Sequence, residues 1–260
     1  MSYGAFGSTV NTFSDGAVGG NLTRKFSVLE SVGNIMAFPF QANTTDLSGN
    51  HTIDDGTPTL TNTTAGQYTY DGQNMLRINF AVGEAPRIIA STQAHQIPLT
   101  EPVTSGFFCM ADSWGGGTPQ LMVSGPGSNA GNYGLQRQSS VGWRYQGDGA
   151  TPTSLGDHRD ITGTNRWFHM VLAISGSRST SSPGAFYING TEVWSGNIVR
   201  GNNVSSTDNF SFGSDSDEST AGWQGFMSNV FVTDTLLDSA TIKALSDEAF
   251  GHASPYAPPV

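Results

Sequence analysis

Two neighbouring stretches restrict the fold of this chain more than any other feature. Residues 166–174 (RWFHMVLAI) are rich in aromatic and β-branched residues and are short enough to form one buried strand. Residues 185–194 (AFYINGTEVW) carry Asn189-Gly190 between two strand-like runs, and both residues tolerate the positive φ that a type I′ turn requires. We therefore predict a buried strand followed by a two-residue β-hairpin.

The length of the hairpin loop fixes the expected register of its two strands. A two-residue loop gives the pairs Ile188–Thr191, Tyr187–Glu192, Phe186–Val193 and Ala185–Trp194. Because side chains alternate between the two faces of a strand, one face carries Phe186, Ile188 and Val193, and the other carries Tyr187, Glu192 and Trp194. We assign the first set to the core, together with Phe210, Phe212 and Val230.

The composition agrees with an all-β domain. The chain has 260 residues, 33 of them glycine, and only 12% are charged, which is typical of a turn-rich β protein. A formal charge of −10 excludes a basic surface for nucleic acid. Cys109 is the single cysteine, so neither an intrachain disulfide nor a cysteine-based zinc site can form.

The order of several short motifs resembles the laminin-G-like, concanavalin-A-like jelly-roll family. The motifs are Phe38 to Asn43, Asp46 to Asn50, Trp167-Phe168-His169, Phe186 to Gly190, Phe210 to Gly213, Gly225 to Val232 and Leu236 to Ile242. The resemblance implies a two-sheet antiparallel jelly-roll sandwich with one short C-terminal helix. It says little about activity, because this fold carries lectins, glycosidases, adhesion modules and virion proteins.

We predict three segments. Residues 1–30 form an extended Gly-rich arm, residues 31–250 form the laminin-G-like domain, and residues 251–260 form a Pro-rich tail. The helix spans residues 238–247, with Asp238 as its N-cap and Leu237 packed on Ile242. The first residues lack a basic segment followed by an apolar one, so we expect neither a signal peptide nor insertion into a membrane.

The acidic residues predict no catalytic activity. Jelly-roll glycosidases need two carboxylates that flank the scissile bond in one cleft. The six glutamates of this chain fall on separate elements, at Glu30, Glu84, Glu101, Glu192, Glu218 and Glu248. His169 shares a strand face with Trp167 and Val171, which favours a structural histidine over a catalytic base.

Two kinds of ligand site remain open at this point. Candidate ligands for a structural calcium ion lie in two oxygen-rich loops, at Asp46, Asn50, Asp215 and Asp217, although such turns are common without metal and we expect no cofactor otherwise. Candidate aromatic residues for stacking on a sugar are Trp114, Tyr133, Trp143 and Tyr145. Trp143 and Tyr145 are alternatively core or interface residues.

The outer face of the hairpin sheet carries more apolar residues than a wet face should. We predict that Tyr187, Trp194 and Phe231 are covered, either by the protein's own arm or by a neighbouring subunit. Tyr3, Phe6 and Tyr256 are the candidate contacts of the arm and the tail with other subunits.

These features favour two functions. The first is a non-enzymatic structural component of a virion, such as a capsid decoration, fibre or tail protein of a tailed bacteriophage. Such a protein is made in the host cytoplasm and assembles with other virion proteins and with copies of itself. The second is a carbohydrate-binding adhesin that recognises host-surface glycans.

Overall fold

A computed structural model gives the fold. It describes residues 27–33, 35–38, 46–49, 51–54, 61–62, 69–70, 73–74, 76–79, 87–90, 102–113, 120–124, 133–138, 142–147, 151–164, 166–176, 181–200, 210–212 and 224–252. No helix in these ranges is long and apolar enough to cross a membrane.

Seventeen strands and two helices make up the described part of the chain. The elements of the first half are α1 (Ser27–Val32), β1 (Met36–Phe38), β2 (His51–Asp54), β3 (Thr61–Asn62), β4 (Thr69–Tyr70), β5 (Gln73–Asn74), β6 (Leu76–Asn79), β7 (Arg87–Ala90), β8 (Val103–Ser113) and β9 (Gln120–Ser124). Those of the second half are β10 (Tyr133–Gln138), β11 (Gly142–Gln146), β12 (Thr153–Gly156), β13 (Trp167–Ile174), β14 (Ser181–Ile188), β15 (Thr191–Val199), β16 (Phe210–Phe212), β17 (Gln224–Thr233) and α2 (Ser239–His252).

The strands form two antiparallel sheets, as predicted for a jelly-roll sandwich. The first sheet has the order β15-β14-β13-β8-β17-β6-β3, with β1 also paired to β17. The second has the order β12-β11-β10-β9-β16-β7-β2, and β4 and β5 form a separate ribbon. The predicted strand at residues 166–174 becomes β13, which lies beside β8 near the middle of the first sheet.

The core lies between the two sheets. Trp143 of the second sheet packs edge-on against Phe168 and tilted against Phe186 of the first, with both ring centroids 6.2 Å away. Phe186, Ile188 and Val230 are buried as predicted, and Val193 is half-buried against the same cluster. The side chains of Phe210 and Phe212 lie outside the described residues.

The hairpin turn forms as predicted, but the register of its strands changes after the first two pairs. Asn189 and Gly190 have φ of 54° and 78°, and Tyr187 pairs with Glu192. A β-bulge then leaves Val193 unpaired, so that Phe186 pairs with Trp194 and not with Val193. The predicted position of Trp194 on the outer face is therefore wrong: its half-buried ring packs against the core beside Val193.

A layer of two short helices covers the outer face of the first sheet. Leu29 of α1 and Ile242 and Leu245 of α2 pack on Tyr187 and Phe231 in a second apolar cluster. The prediction of a covered face is confirmed, and the cover is the protein's own chain. Residues 27–30 were predicted to be extended, yet they form most of α1, so the domain begins before residue 31.

Helix α2 starts where the sequence predicts. The N–H of Thr241 donates to the Asp238 carboxylate at 2.7 Å, and Leu237 packs on the cluster that contains Ile242. The helix ends at His252, five residues beyond the prediction, and takes in the first two residues of the predicted tail. The extension places Ala249 against the sheet, where it is fully buried.

Candidate functional site

A row of polar side chains crosses the outer face of the second sheet. Gln136 of β10 is paired with Arg144 of β11, and Arg144 is paired with Ser154 of β12. The Nε–H of Arg144 donates to Oε1 of Gln136 at 2.8 Å. We call Gln136, Arg144 and Ser154 the polar row. By register, Gln120 of β9 is the partner of Gln136 on the other side.

Strand alternation sets the outward position of the polar row. Leu135, Trp143, Tyr145 and Leu155, which flank its three members in sequence, are all buried in the core between the sheets. Side chains that neighbour core residues on a strand must point to the opposite face. The packing of these core residues therefore fixes the strands that carry the polar row.

The backbone packs tightly beside the polar row. Gly142 opens β11 with φ of 82°, and a Cβ at this position would overlap the carbonyl oxygen of Gly156. Only glycine combines that conformation with so close an approach. The contact holds β11 and β12 in register next to Arg144 and Ser154.

Arg144 brings positive charge to a partly desolvated surface. Its side chain is half-buried and Gln136 is only 5% exposed, although both lie on the outer face of the sheet. Burial lowers the pKa of Arg144 from its ordinary value, because the charged form loses part of its hydration.

A second group of charged side chains follows the end of β12. Arg159 Nε donates to both carboxylate oxygens of Asp157 at 2.8 Å, and these bonds lower the pKa of Asp157. Arg137 pairs with Trp143 and so turns towards the core. Burial is the main cause that lowers the pKa of Arg137, and the positive charge of Arg159 lowers it further. The pair of Asp157 and Arg159 is exposed, so it is a solvated surface pair.

Two of the predicted sugar-stacking residues lie in the core. Trp143 is 0% and Tyr145 is 1% exposed. The indole Nε1–H of Trp143 donates to Oγ1 of Thr162 at 3.1 Å, and that hydroxyl donates to the carbonyl of His158 at 2.8 Å. The interpretation of these two rings as a sugar platform is wrong, because no ligand can reach their faces. Trp114 and the side chain of Tyr133 lie outside the described residues.

The polar row itself was missed in the sequence, although the signal was present. Aromatic residues at 143 and 145 share one strand face, so residue 144 between them must share the other face with its cross-strand partners.

Asp46 has a structural role in the loop after β1. Its Oδ1 accepts hydrogen bonds from the N–H groups of Ala37 at 2.8 Å and Ser48 at 3.0 Å, and its Oδ2 accepts one from the Ser48 hydroxyl at 2.7 Å. Within the described ranges no group of three acidic, histidine or cysteine side chains is placed to hold a metal ion. Asn50, Asp215 and Asp217 lie outside those ranges.

The predicted assembly residues on the sheet are buried within the chain. Phe231 is 0% and Tyr187 is 7% exposed under the helical layer, and the hydroxyl of Tyr187 donates to Glu192 at 3.3 Å. Of the two covers considered for these residues, the neighbouring subunit is wrong, because α1 and α2 of the same chain already occupy that space. Tyr3, Phe6 and Tyr256 are outside the described part of the chain.

His169 is a structural residue of the covered face. It is 1% exposed, its backbone N–H donates to Oδ1 of Asn189 at 2.9 Å, and its Nδ1 has no hydrogen-bond partner. Burial lowers the pKa of His169 to about 3, so the ring is neutral at physiological pH.

Comparison with models of known protein families identifies the family of this chain. Residues 87–243, which include the whole polar row, match the concanavalin A-like lectin/glucanases superfamily. The chain belongs to this family. No curated protein matches it significantly.

Sialidases and neurotoxin receptor-binding domains are among the solved structures with the same fold. A Trypanosoma rangeli sialidase bound to 2,3-difluorosialic acid has a TM-score of 0.56 and 19% identity, over 81% of this chain and 32% of the enzyme. The receptor-binding domain of botulinum neurotoxin D has a TM-score of 0.58 and 15% identity, over 85% of this chain and 53% of that one. The corresponding domain of the C/D mosaic serotype gives 0.60 and 15%, over 84% and 51%. The chain thus spans about a third to a half of these relatives, and the likeness extends to the fold alone.

Proposed function

We propose that this protein is a non-catalytic glycan-binding domain and that the polar row is part of its binding surface. The observation that carries the proposal is the fixed pair of Gln136 and Arg144 beside Ser154 on the outer face of the second sheet. An amide, a guanidinium and a hydroxyl on neighbouring strands supply hydrogen-bond donors and acceptors of the kind that sugar hydroxyls pair with.

Arg144 favours sugars that carry a carboxylate. A guanidinium binds a carboxylate through charge-assisted hydrogen bonds, and partial burial strengthens the attraction. Gln136 holds the guanidinium through Nε and so fixes its plane. Acidic sugars, such as sialic or uronic acids, are therefore the ligands that we expect to bind more tightly than neutral ones.

The test is binding of the full chain to a panel of neutral and acidic oligosaccharides by glycan array and calorimetry. Replacing Arg144 with Gln should weaken binding of the acidic ligands by about 10- to 100-fold, since a hydrogen bond to a charged group contributes about 1.5–3 kcal/mol. Arg166→Gln is the matched control, because Arg166 is exposed and donates to the backbone carbonyl of Asp160. Failure to bind any glycan, or equal binding by both variants, would contradict the proposal.

The absence of catalysis is part of the same proposal. Glu192 accepts a hydrogen bond from Tyr187 on the first sheet, and Glu248 binds the start of α1, so both carboxylates lie on the opposite side of the sandwich from the polar row. Glycoside hydrolysis needs two carboxyl groups about 5–10 Å apart across one bond. An assay for reducing ends released from the bound glycans should give no product, and release abolished by substituting one acidic residue would establish an enzyme.

We also propose that the domain is carried on the outside of a virion as a decoration, fibre or tail protein. The sandwich is held by packing without a disulfide, since its one cysteine, Cys109, is buried in β8. Such a domain can fold in a reducing cytoplasm and be released by lysis. Mass spectrometry and immunogold labelling of purified particles test the location. A protein that is abundant in the lysate but missing from particles would refute it.

A further inference from the structure

Strand β15 forms an unusually long open edge. It ends the first sheet and contains nine residues, whereas β3, β2 and β12, the terminal strands of the other sheet edges in the described part of the chain, contain two, four and four. Backbone N–H and C=O groups on one side of an edge strand have no strand to pair with. Ser195, Gly196, Asn197 and Val199 are all exposed, so these four residues of the edge are open to solvent.

Beyond Val193, the edge also lacks the usual features that prevent pairing. Proteins protect edge strands with lysine, proline, short length or bulges. The only bulge lies at Val193, near the start of β15, and the residues from Val193 to Val199 include neither a charge nor a proline. In a chain with a formal charge of −10, an uncharged segment of this length is where two copies can approach without repulsion.

We propose that β15 pairs antiparallel with β15 of a second copy, about a two-fold axis that is perpendicular to the first sheet and passes near Gly196. Such an axis keeps the core faces of both copies on the same side and joins the two first sheets into one. It sets Ser195 of one copy opposite Asn197 of the other, on the outer face. On the core side, it sets Trp194 of one copy opposite Ile198 of the other. Within each copy, Ile198 is buried and the Trp194 ring lies over Gly196.

The pairing has a consequence for ligand binding. Because the axis is perpendicular to the sheets, the polar rows of both copies face the same direction. A surface that presents many glycans would then be bound at two points, which raises the apparent affinity without any new contact. This consequence rests on the proposed glycan function, whereas the pairing itself does not.

Sedimentation equilibrium of the full chain tests the association. We expect a dimer for the wild-type chain, and loss of the dimer in the Ser195→Lys/Asn197→Lys variant, whose added charges face each other across the axis. Leu236→Lys is the matched control, because Leu236 is 48% exposed and lies beside Leu237, whose N–H contacts Thr104 of β8, three strands from β15. It should remain dimeric. A monomeric wild-type chain, or a double variant that dimerises like the wild type, would overturn the proposal.

Disulfide cross-linking tests the position of the axis. Cys109 is buried, so a cysteine introduced on β15 is the accessible thiol. A mixture of Ser195→Cys chains and Asn197→Cys chains should form a disulfide-linked dimer on mild oxidation, and each variant alone should not. Failure of the mixture to cross-link, or cross-linking of Ser195→Cys alone, would overturn the arrangement around Gly196.

Glycan binding separates the two proposals. If the Ser195→Lys/Asn197→Lys monomer binds a free oligosaccharide as the wild type does but loses affinity for a glycan-coated surface, both the pairing and the glycan function are supported. If the wild-type dimer forms and no glycan binds, the pairing stands and the proposed function fails.

Discussion

Glu248 and Leu29 join the two ends of the domain: Oε2 of the Glu248 carboxylate accepts a hydrogen bond from the backbone N–H of Leu29 at 3.0 Å. Oε1 of the same carboxylate accepts from the N–H of Val28 at 2.9 Å. A side chain of α2 thus caps α1, which has only six residues and is too short to be stable by itself.

Replacing Glu248 with Ala should lower the free energy of unfolding by about 1–2 kcal/mol, because two partly buried N–H groups lose their acceptor. Urea unfolding followed by circular dichroism measures this change. Glu30→Ala is the control, since Glu30 is exposed on α1 and should change stability by less than about 0.5 kcal/mol. Equal stability of the two variants would mean that the cap contributes nothing.

The pH dependence of stability should carry a signature of His169. Its pKa falls from about 6.5 in the unfolded chain to about 3 in the folded protein. Between these values the unfolded state binds a proton that the folded state does not, so the free energy of unfolding decreases as the pH falls below 6.5. Relative to His169→Phe, the wild-type chain should lose about 2–3 kcal/mol more between pH 7.5 and pH 4.5. Parallel pH profiles for the two proteins would show that this histidine is not buried.

Gly106 should not tolerate a side chain. A Cβ at this position would lie 2.6 Å from the Phe231 ring, 2.7 Å from the carbonyl oxygen of Met170 and 2.9 Å from Val171. Gly106→Ala should therefore destabilise the domain by about 1–3 kcal/mol through overpacking. Gly163→Ala provides the comparison, because its Cβ would make only ordinary contacts from 3.4 Å outwards. Differential scanning calorimetry should rank the two variants in that order.

Phe231 should behave as a core residue. Its ring is fully buried between the first sheet and α1 and α2, so Phe231→Ala should cost about 3–5 kcal/mol and leave little folded protein. Leu236→Ala removes an exposed apolar side chain and should leave the melting temperature nearly unchanged. A Phe231→Ala variant that folds normally but fails to assemble would restore the view of Phe231 as an intersubunit contact.

The hairpin shows how far the sequence determines the fold. Asn189-Gly190 predicts the turn and the first pairs, because the turn chemistry is local. The bulge at Val193 was not predictable from the turn, since it results from tertiary packing. By adding one residue, it lets both Val193 and Trp194 reach the same core.

Helix α1 illustrates a second limit. Its apolar residues Val28, Leu29 and Val32 span too few positions for a helical period to be recognised. The helix depends on a cap supplied from more than 200 positions away in the sequence. The polar row illustrates the opposite case, since the burial of Trp143 and Tyr145 already requires Arg144 to face outwards.

The layer of α1 and α2 makes the two outer faces of the sandwich different, since only the first sheet carries it. Both helices lie on the same side of the sandwich, so the segments before Ser27 and after His252 start from that side. The polar row lies on the opposite side. Under the proposed function, a glycan would therefore meet the domain on the side opposite to both helices.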